Sequence, residues 1–297
     1  MRTQLRLIIV TGLTICFTLW VMPGTAHAQI FVANNGGGTI GEYNLDGTTI
    51  NASLVSGLNQ PIGIAVFGED IFVSNAGNNT IGEYTTSGAT VNASLISGLN
   101  KPVGVAVFGG DLFVANLGNN TIGEYNLDGT TINASLISGL NSLAGLAVSG
   151  GDIFVANIGN STIGKYTISG VTVSASLISG LHNPYSVAVS GTNIFVPNLG
   201  NNTIGEYTTS GGTVNASLVS GLNAPYGIAM SGTDIFVSNN GSGRIGEYTT
   251  SGGTVNSSLI SGLNAPIGIA VVVPEPTTLA LAGLGGLSLM LFRRRRK

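Results

Sequence analysis

Short hydrophobic runs alternate with turns rich in Gly, Asn, Asp and Pro along almost the whole chain, and the alternation repeats. Ile30, Ile71, Leu112, Ile153, Ile194 and Ile235 are each 41 residues beyond the last, and nearly every position between them recurs. A unit reads IFVxN, then TIGEY, then TVNASLISG, then PxGIAV. The runs have the length and the β-branched and aromatic bias of strands, and the segments between them have turn chemistry. No stretch outside the two chain ends carries helical periodicity. Four strands per ~40 residues is the size of one β-propeller blade.

The ends of the repeat region predict how the ring closes. The first unit starts at Ile30 with no PxGIAV run before it, while the last finishes in Pro266-Ile267-Gly268-Ile269-Ala270-Val271 with no IFVxN after it. Placing that last run beside Ile30 to Asn34 gives six complete blades and hides two strand edges that would otherwise template aggregation. The prediction is an all-β fold, a six-bladed β-propeller closed by its C-terminal strand over residues 29–273. A β-solenoid with two rungs per unit is the competing architecture.

Residues 1–28 have Arg2 and Arg6, then the apolar run Leu7 to Met22, then Ala26-His27-Ala28, which is the layout of a secretory signal peptide with a small-x-small cleavage site. Signal peptidase is the partner this predicts. Ile15 precedes Cys16, where a lipoprotein site would need a small residue. Residues 274–297 begin with Pro274-Glu275-Pro276, continue through the apolar segment Thr277 to Phe292, and end in Arg293-Arg294-Arg295-Arg296-Lys297. As a helix that segment spans about 24 Å, short of a ~30 Å hydrocarbon core, and the basic cluster would hold it at the cytoplasmic side. A short membrane helix and transient membrane insertion are expected here.

This tail resembles the PEP-CTERM sorting signal of Gram-negative bacteria, which has the same three parts in the same order. The resemblance implies processing by an exosortase and delivery to the cell surface or extracellular matrix. Within the repeats, PxGIAV, DIFVSN and NTIGEY resemble the NHL, YVTN and streptogramin-lyase-like propellers. That resemblance implies the fold; propellers of this kind serve as enzymes, scaffolds and ligand binders. WD dipeptides are absent from the chain.

Composition sharpens the picture. Charged residues make up 8% of the chain against a typical ~25%, with 46 glycines and a formal net charge of −3. The sole Cys and the sole Trp lie in residues 1–28, so no disulfide framework is expected after export. With both ends set aside, three bases (Lys101, Lys165, Arg244) face twelve acids, a net charge of −9. Such a body is no partner for nucleic acid. Asp46, Glu69, Asp70, Asp111, Asp128, Asp152 and Asp234 fall in the turns of one face. The opposite face collects the NxGNNT and GLNxP loops.

On that second face, Asn34, Asn75, Asn116, Asn157, Asn198 and Asn239 form a ring by symmetry, either lining the channel or holding loop backbone. Departures from the repeat say more. Leu117, Ile158 and Leu199 occupy three consecutive units where others have Asn35, Ala76 or Asn240. Tyr185 and Tyr226 replace Ile62, Val103, Ala144 or Ile267. If exposed, these residues form one apolar and aromatic sector suited to a polysaccharide or to a surface protein's hydrophobic anchor. If folded inward, they are variation within the blade packing.

Catalytic material is scarce. Outside residues 1–28 the one histidine is His182, in a position that is Asn in the other five units, and no GxSxG elbow occurs. Streptogramin lyases use a histidine, a glutamate and bound magnesium; only His182 could supply one of these. The glutamates 42, 83, 124, 206 and 247, with Lys165 in the sixth unit, read as solvated strand positions. The NAS triplets at Asn51, Asn92, Asn133 and Asn215 read as strand residues. No cofactor and no metal ligands are indicated. The function expected is a non-catalytic binding or structural module of the cell surface or matrix, the alternative being a degenerate lyase- or lactonase-like enzyme.

Overall fold

Every repeated run becomes a strand in the computed structural model, which describes residues 28–273. The sorting-tail segment 274–297 and, Ala28 apart, the signal-peptide segment lie outside the described residues. The chain opens with β1 (Gln29–Asn34), β2 (Thr39–Asn44) and β3 (Thr49–Val55), which belong to blade 6. Blade 1 is β4 (Pro61–Phe67), β5 (Asp70–Asn75), β6 (Thr80–Thr85) and β7 (Thr90–Ile96). Blade 2 is β8 (Pro102–Phe108), β9 (Asp111–Asn116), β10 (Thr121–Asn126) and β11 (Thr131–Ile137). Blade 3 is β12 (Leu143–Ser149), β13 (Asp152–Asn157), β14 (Thr162–Thr167) and β15 (Thr172–Ile178). Blade 4 is β16 (Ala188–Ser190), β17 (Asn193–Asn198), β18 (Thr203–Thr208) and β19 (Thr213–Val219). Blade 5 is β20 (Pro225–Ser231), β21 (Asp234–Asn239), β22 (Arg244–Thr249) and β23 (Thr254–Ile260). Then β24 (Pro266–Val272) completes blade 6.

Each blade is an antiparallel sheet whose first strand faces the central channel and whose fourth is the outer edge. The closing sheet has the order β24-β1-β2-β3, with Ile30 opposite Val271 and Val32 opposite Ile269. The six-bladed ring and its C-terminal closure therefore stand, and the solenoid is excluded. Among the described residues the helical content is one 3-10 turn, Asn240–Ser242, and no helix there is long and apolar enough to cross a membrane.

The core is divided among the blade junctions. Six apolar clusters each join two neighbouring blades; one brings Phe113 and Ile122 of blade 2 against Leu143, Ile153 and Val155 of blade 3. One Phe per blade, from Phe31 to Phe236, is fully buried at these junctions. In TIGEY, Gly and Tyr lie two residues apart on one strand face, and the tyrosine ring folds across the glycine. A Cβ on Gly41 would come within 2.6 Å of the Tyr43 hydroxyl. The glycine thus gives the ring its seat.

The glutamate of TIGEY is not uniformly solvated, which corrects the sequence expectation. Glu42 and Glu206 are buried, and each accepts a hydrogen bond from the first residue of the neighbouring strand: Gln29 Nε2 at 2.6 Å and Asn193 Nδ2 at 2.7 Å. In blade 3 the same contact is an ion pair between Lys165 and Asp152 at 2.9 Å. The first residue of each second strand therefore covers the glutamate position.

Candidate functional site

The channel mouth is built by the starts of the innermost strands, and glycine sets how closely they approach. At Gly63, Gly227 and Gly268 a Cβ would run into the backbone carbonyl of Val103, Ile267 and Ile62, each on the next blade round the ring. Blade 4 departs from this rule with Ser186 at the glycine position. Its second strand also departs, with Pro197 where the other blades have Ala or Ser. The Pro197 carbonyl accepts the Tyr185 N–H at 3.3 Å, so this residue's hydrogen-bonding edge faces the inner strand. Proline has no N–H to donate on that edge, and the ladder loses a bond there. The two changes together account for β16 starting at Ala188, with only an isolated bridge between Pro184 and Asn198 before it.

The released segment carries Tyr185. Its carbonyl accepts a 2.8 Å hydrogen bond from Gly145 N–H of blade 3, and its ring meets Tyr226 of blade 5 edge-on, with centroids 4.3 Å apart. Both tyrosines are half-buried. Burial pushes the Tyr185 hydroxyl well above the ordinary tyrosine range, and Tyr226 adds to the shift, so the group stays a neutral phenol at any physiological pH. Beneath the pair the channel encloses about 120 Å³ and is lined by Gly, Ala, Ile, Val and Leu of the inner strands, with Ser186.

The other sequence-derived residues are arranged differently. Leu117, Ile158 and Leu199 are half-buried, one in each of three successive blades, and their N–H groups each donate at 3.1 Å to the loop that leads into the inner strand of the same blade. In the Asn-bearing units the side chain itself bonds the next blade: Asn35 Nδ2 to Pro61 O and Asn240 Nδ2 to Pro266 O, both 3.2 Å. Leu117 packs instead against the cluster containing Val103, Leu140 and Leu143. Leu117 thus sits between blades, while Tyr185 and Tyr226 form the contiguous aromatic pair. His182 is exposed on the neighbouring loop; its N–H donates to Asn198 Oδ1 at 3.2 Å and its carbonyl accepts from Gly200 at 2.9 Å.

The asparagine ring is buried and holds loops. Oδ1 of Asn116, Asn157, Asn198 and Asn239 accepts the N–H of the residue sixteen positions earlier, and Asn34, Asn75, Asn116, Asn198 and Asn239 also hydrogen-bond the tyrosine of TIGEY. A magnesium site of the lyase kind does not fit the mouth. Hard cations favour carboxylate oxygens, whereas the polar side chains lining the channel are those of Tyr185 and Ser186, and no three His, Cys, Asp or Glu residues converge among the described residues. Sequence reasoning missed Pro197 and Ser186, although both are visible as single departures from an otherwise constant repeat position.

The fold and mouth define an all-β, six-bladed propeller with an aromatic pair at its hub. The PEP-CTERM protein-sorting motif matches residues 272–296. That motif marks the chain for export and exosortase-dependent delivery to the surface or extracellular matrix of a Gram-negative bacterium. No curated protein matches the chain. Solved structures similar in fold include a nidogen/laminin complex (TM-score 0.71, 15% identity, 83% of this chain and 98% of that chain). Virginiamycin B lyase from Staphylococcus aureus is similar as well (TM-score 0.62, 19% identity, 81% and 84%). A gluconolactonase from Xanthomonas campestris follows at TM-score 0.61 (14% identity, 71% and 79%). At such identities the likeness is one of fold, and it spans enzymes and a nidogen/laminin complex alike.

Proposed function

We propose that the protein is a non-catalytic binding module of the cell surface or matrix, and that the Tyr185–Tyr226 mouth takes a segment of polysaccharide. Export through a signal peptide cleaved after Ala28 is part of this reading. The observation that carries it is the aromatic pair itself: two tyrosine rings meeting edge-on, that of Tyr185 on a locally released inner strand, over an otherwise aliphatic channel. Aromatic rings with a polar hydroxyl suit sugar rings, which have apolar faces and hydroxyl rims. Size limits the pose. About 120 Å³ is well below the roughly 300–1,000 Å³ of pockets that enclose a ligand, so the saccharide lies across the mouth. An enzyme of the lyase or lactonase kind would need a substrate held against an acid or base, and the channel lining supplies neither.

The test is binding of the host's extracellular polysaccharide to the chain and to Tyr185→Ala/Tyr226→Ala. At least a tenfold loss of affinity in the double variant is expected. Equal affinity in the two proteins contradicts the proposal.

A further inference from the structure

A propeller leaves one unpaired strand edge per blade, and such edges pair with other chains unless something blocks them. Here β3, β7, β11, β19 and β23 are blocked in the same way. Each bulges against its neighbour, and an Asn side chain caps the bulge: Oδ1 of Asn51, Asn92, Asn133, Asn215 and Asn256 accepts the N–H of Ser53, Ser94, Ser135, Ser217 and Ser258 at 3.0–3.1 Å. β15 has the same bulge, but its Asn is replaced by Ser174, and no corresponding bond to Ser176 N–H is made among the described residues.

Two further departures fall in the same hairpin. Val171 is 61% exposed where the other blades have Thr, Ala or Gly, and it adds to the exposed Ile or Val that every outer strand carries, here Val173 at 54%. Lys165 replaces the glutamate and pairs with Asp152 at 2.9 Å. The strands of blade 3 therefore carry no net charge, whereas those of blade 1 hold two acids, Asp70 and Glu83, and those of blade 2 another two, Asp111 and Glu124, in a body of net charge −9. The outer strands themselves are uncharged in every blade, but two copies meeting edge to edge at any other blade bring net-negative blades together, and at blade 3 they do not.

From the uncapped strand, its apolar hairpin and the neutrality of its blade we infer that β15 is a self-association edge that pairs antiparallel with β15 of a second copy of this chain. Antiparallel pairing of one strand with its own copy is the self-complementary arrangement a two-fold axis requires. The result is a sheet continuous across two rings. This edge lies on the outer rim, away from the channel mouth, so the inference is independent of saccharide binding.

The test uses the full-length chain carrying Cys16→Ser. Single substitutions Val173→Cys, Ser174→Cys, Ala175→Cys and Ser176→Cys in β15, and Val91→Cys and Asn92→Cys in β7 as controls, are oxidised mildly and run on non-reducing gels. Disulfide-linked dimer at β15 positions, at least tenfold above the β7 controls, is expected. No dimer at β15, or equal yields at both edges, overturns the inference. Sedimentation of the detergent-solubilised chain provides the second readout. Val171→Thr/Val173→Lys is expected to weaken self-association at least tenfold with the melting temperature unchanged. A wild-type chain that stays monomeric, or a variant that self-associates as well as wild type, overturns it.

Discussion

At the scale of single residues, the most instructive contact is the one between the TIGEY glutamate and the first residue of the second strand. Blades 4 and 6 place an amide there, blade 3 an ion pair, and blades 1, 2 and 5 two carboxylates: Glu83 with Asp70, Glu124 with Asp111, Glu247 with Asp234. Desolvation raises each of these three glutamates above the ordinary carboxylate range, and the neighbouring aspartate raises it further. A carboxyl whose folded-state pKa is raised contributes stability that is fully present below its unfolded value and lost as pH rises through the folded one. Lowering the pH from neutral toward the ordinary glutamate range should therefore stabilise the ring. Asp46 and Asp128, lowered by hydrogen bonds from Thr48 and Thr130, act in the opposite sense at more acid pH. Asp70→Asn/Asp111→Asn/Asp234→Asn copies the amide solution. Relieving roughly 0.2–1 kcal/mol of repulsion per blade should raise the melting temperature at pH 7 by about 2–6 °C, with a smaller gain near pH 5. Calorimetry at the two pH values checks this; an equal gain at both contradicts the shared-charge account. The glutamates are plain in the sequence, but their burial is not, because it depends on which residue another strand lays across them.

Among the elements, the inner strand of blade 4 separates what pattern shows from what packing decides. Strand identity, order and closure follow from the repeat, since the alternation and the turns recur in every unit. The shortened β16 does not, because it arises from Pro197 on a neighbouring strand and from Ser186 at the position where every other inner strand has glycine. Likewise, the GLNxP loops turn through a left-handed residue that is never glycine, with Gln60, Lys101, Ser142, Asn183, Ala224 and Ala265 at φ near +50°. No compositional signal marks that position; the hydrogen bond to each of these carbonyls from the loop after the same blade's second strand holds it. Ser186→Gly/Pro197→Ala should restore pairing in this segment. Hydrogen exchange at residues 185–187 is expected to slow at least tenfold, and unchanged exchange would show that other contacts release the strand. The same substitutions should shift Tyr185 away from Tyr226 and weaken saccharide binding.

For the whole molecule, stability lies in six blade junctions and in the strand that closes the ring. Removing β24 strips Ile269 and its neighbours from two junctions and exposes the channel-side edge of β1. A chain ending at Leu263 should therefore lose cooperative unfolding that a chain ending at Val273 retains, as read by thermal denaturation. A milder lesion at the same seam, Gly268→Ala, forces a methyl onto the Ile62 carbonyl and should cost about 2 kcal/mol, or roughly 4–8 °C in melting temperature. The overall charge logic was legible early: the −9 body emerges once the basic ends are set aside. The candidate site was half legible. Tyr185 and Tyr226 stand out against the repeat, yet only the folded ring shows that they touch while Leu117 packs into a blade junction. The most direct test of the binding account is an amide chemical-shift map of the propeller titrated with the host's extracellular polysaccharide. Saturable shifts clustered at residues 182–187 and 224–228 are the predicted result. Saturable shifts confined to the acidic face, or no shifts at all, would contradict it.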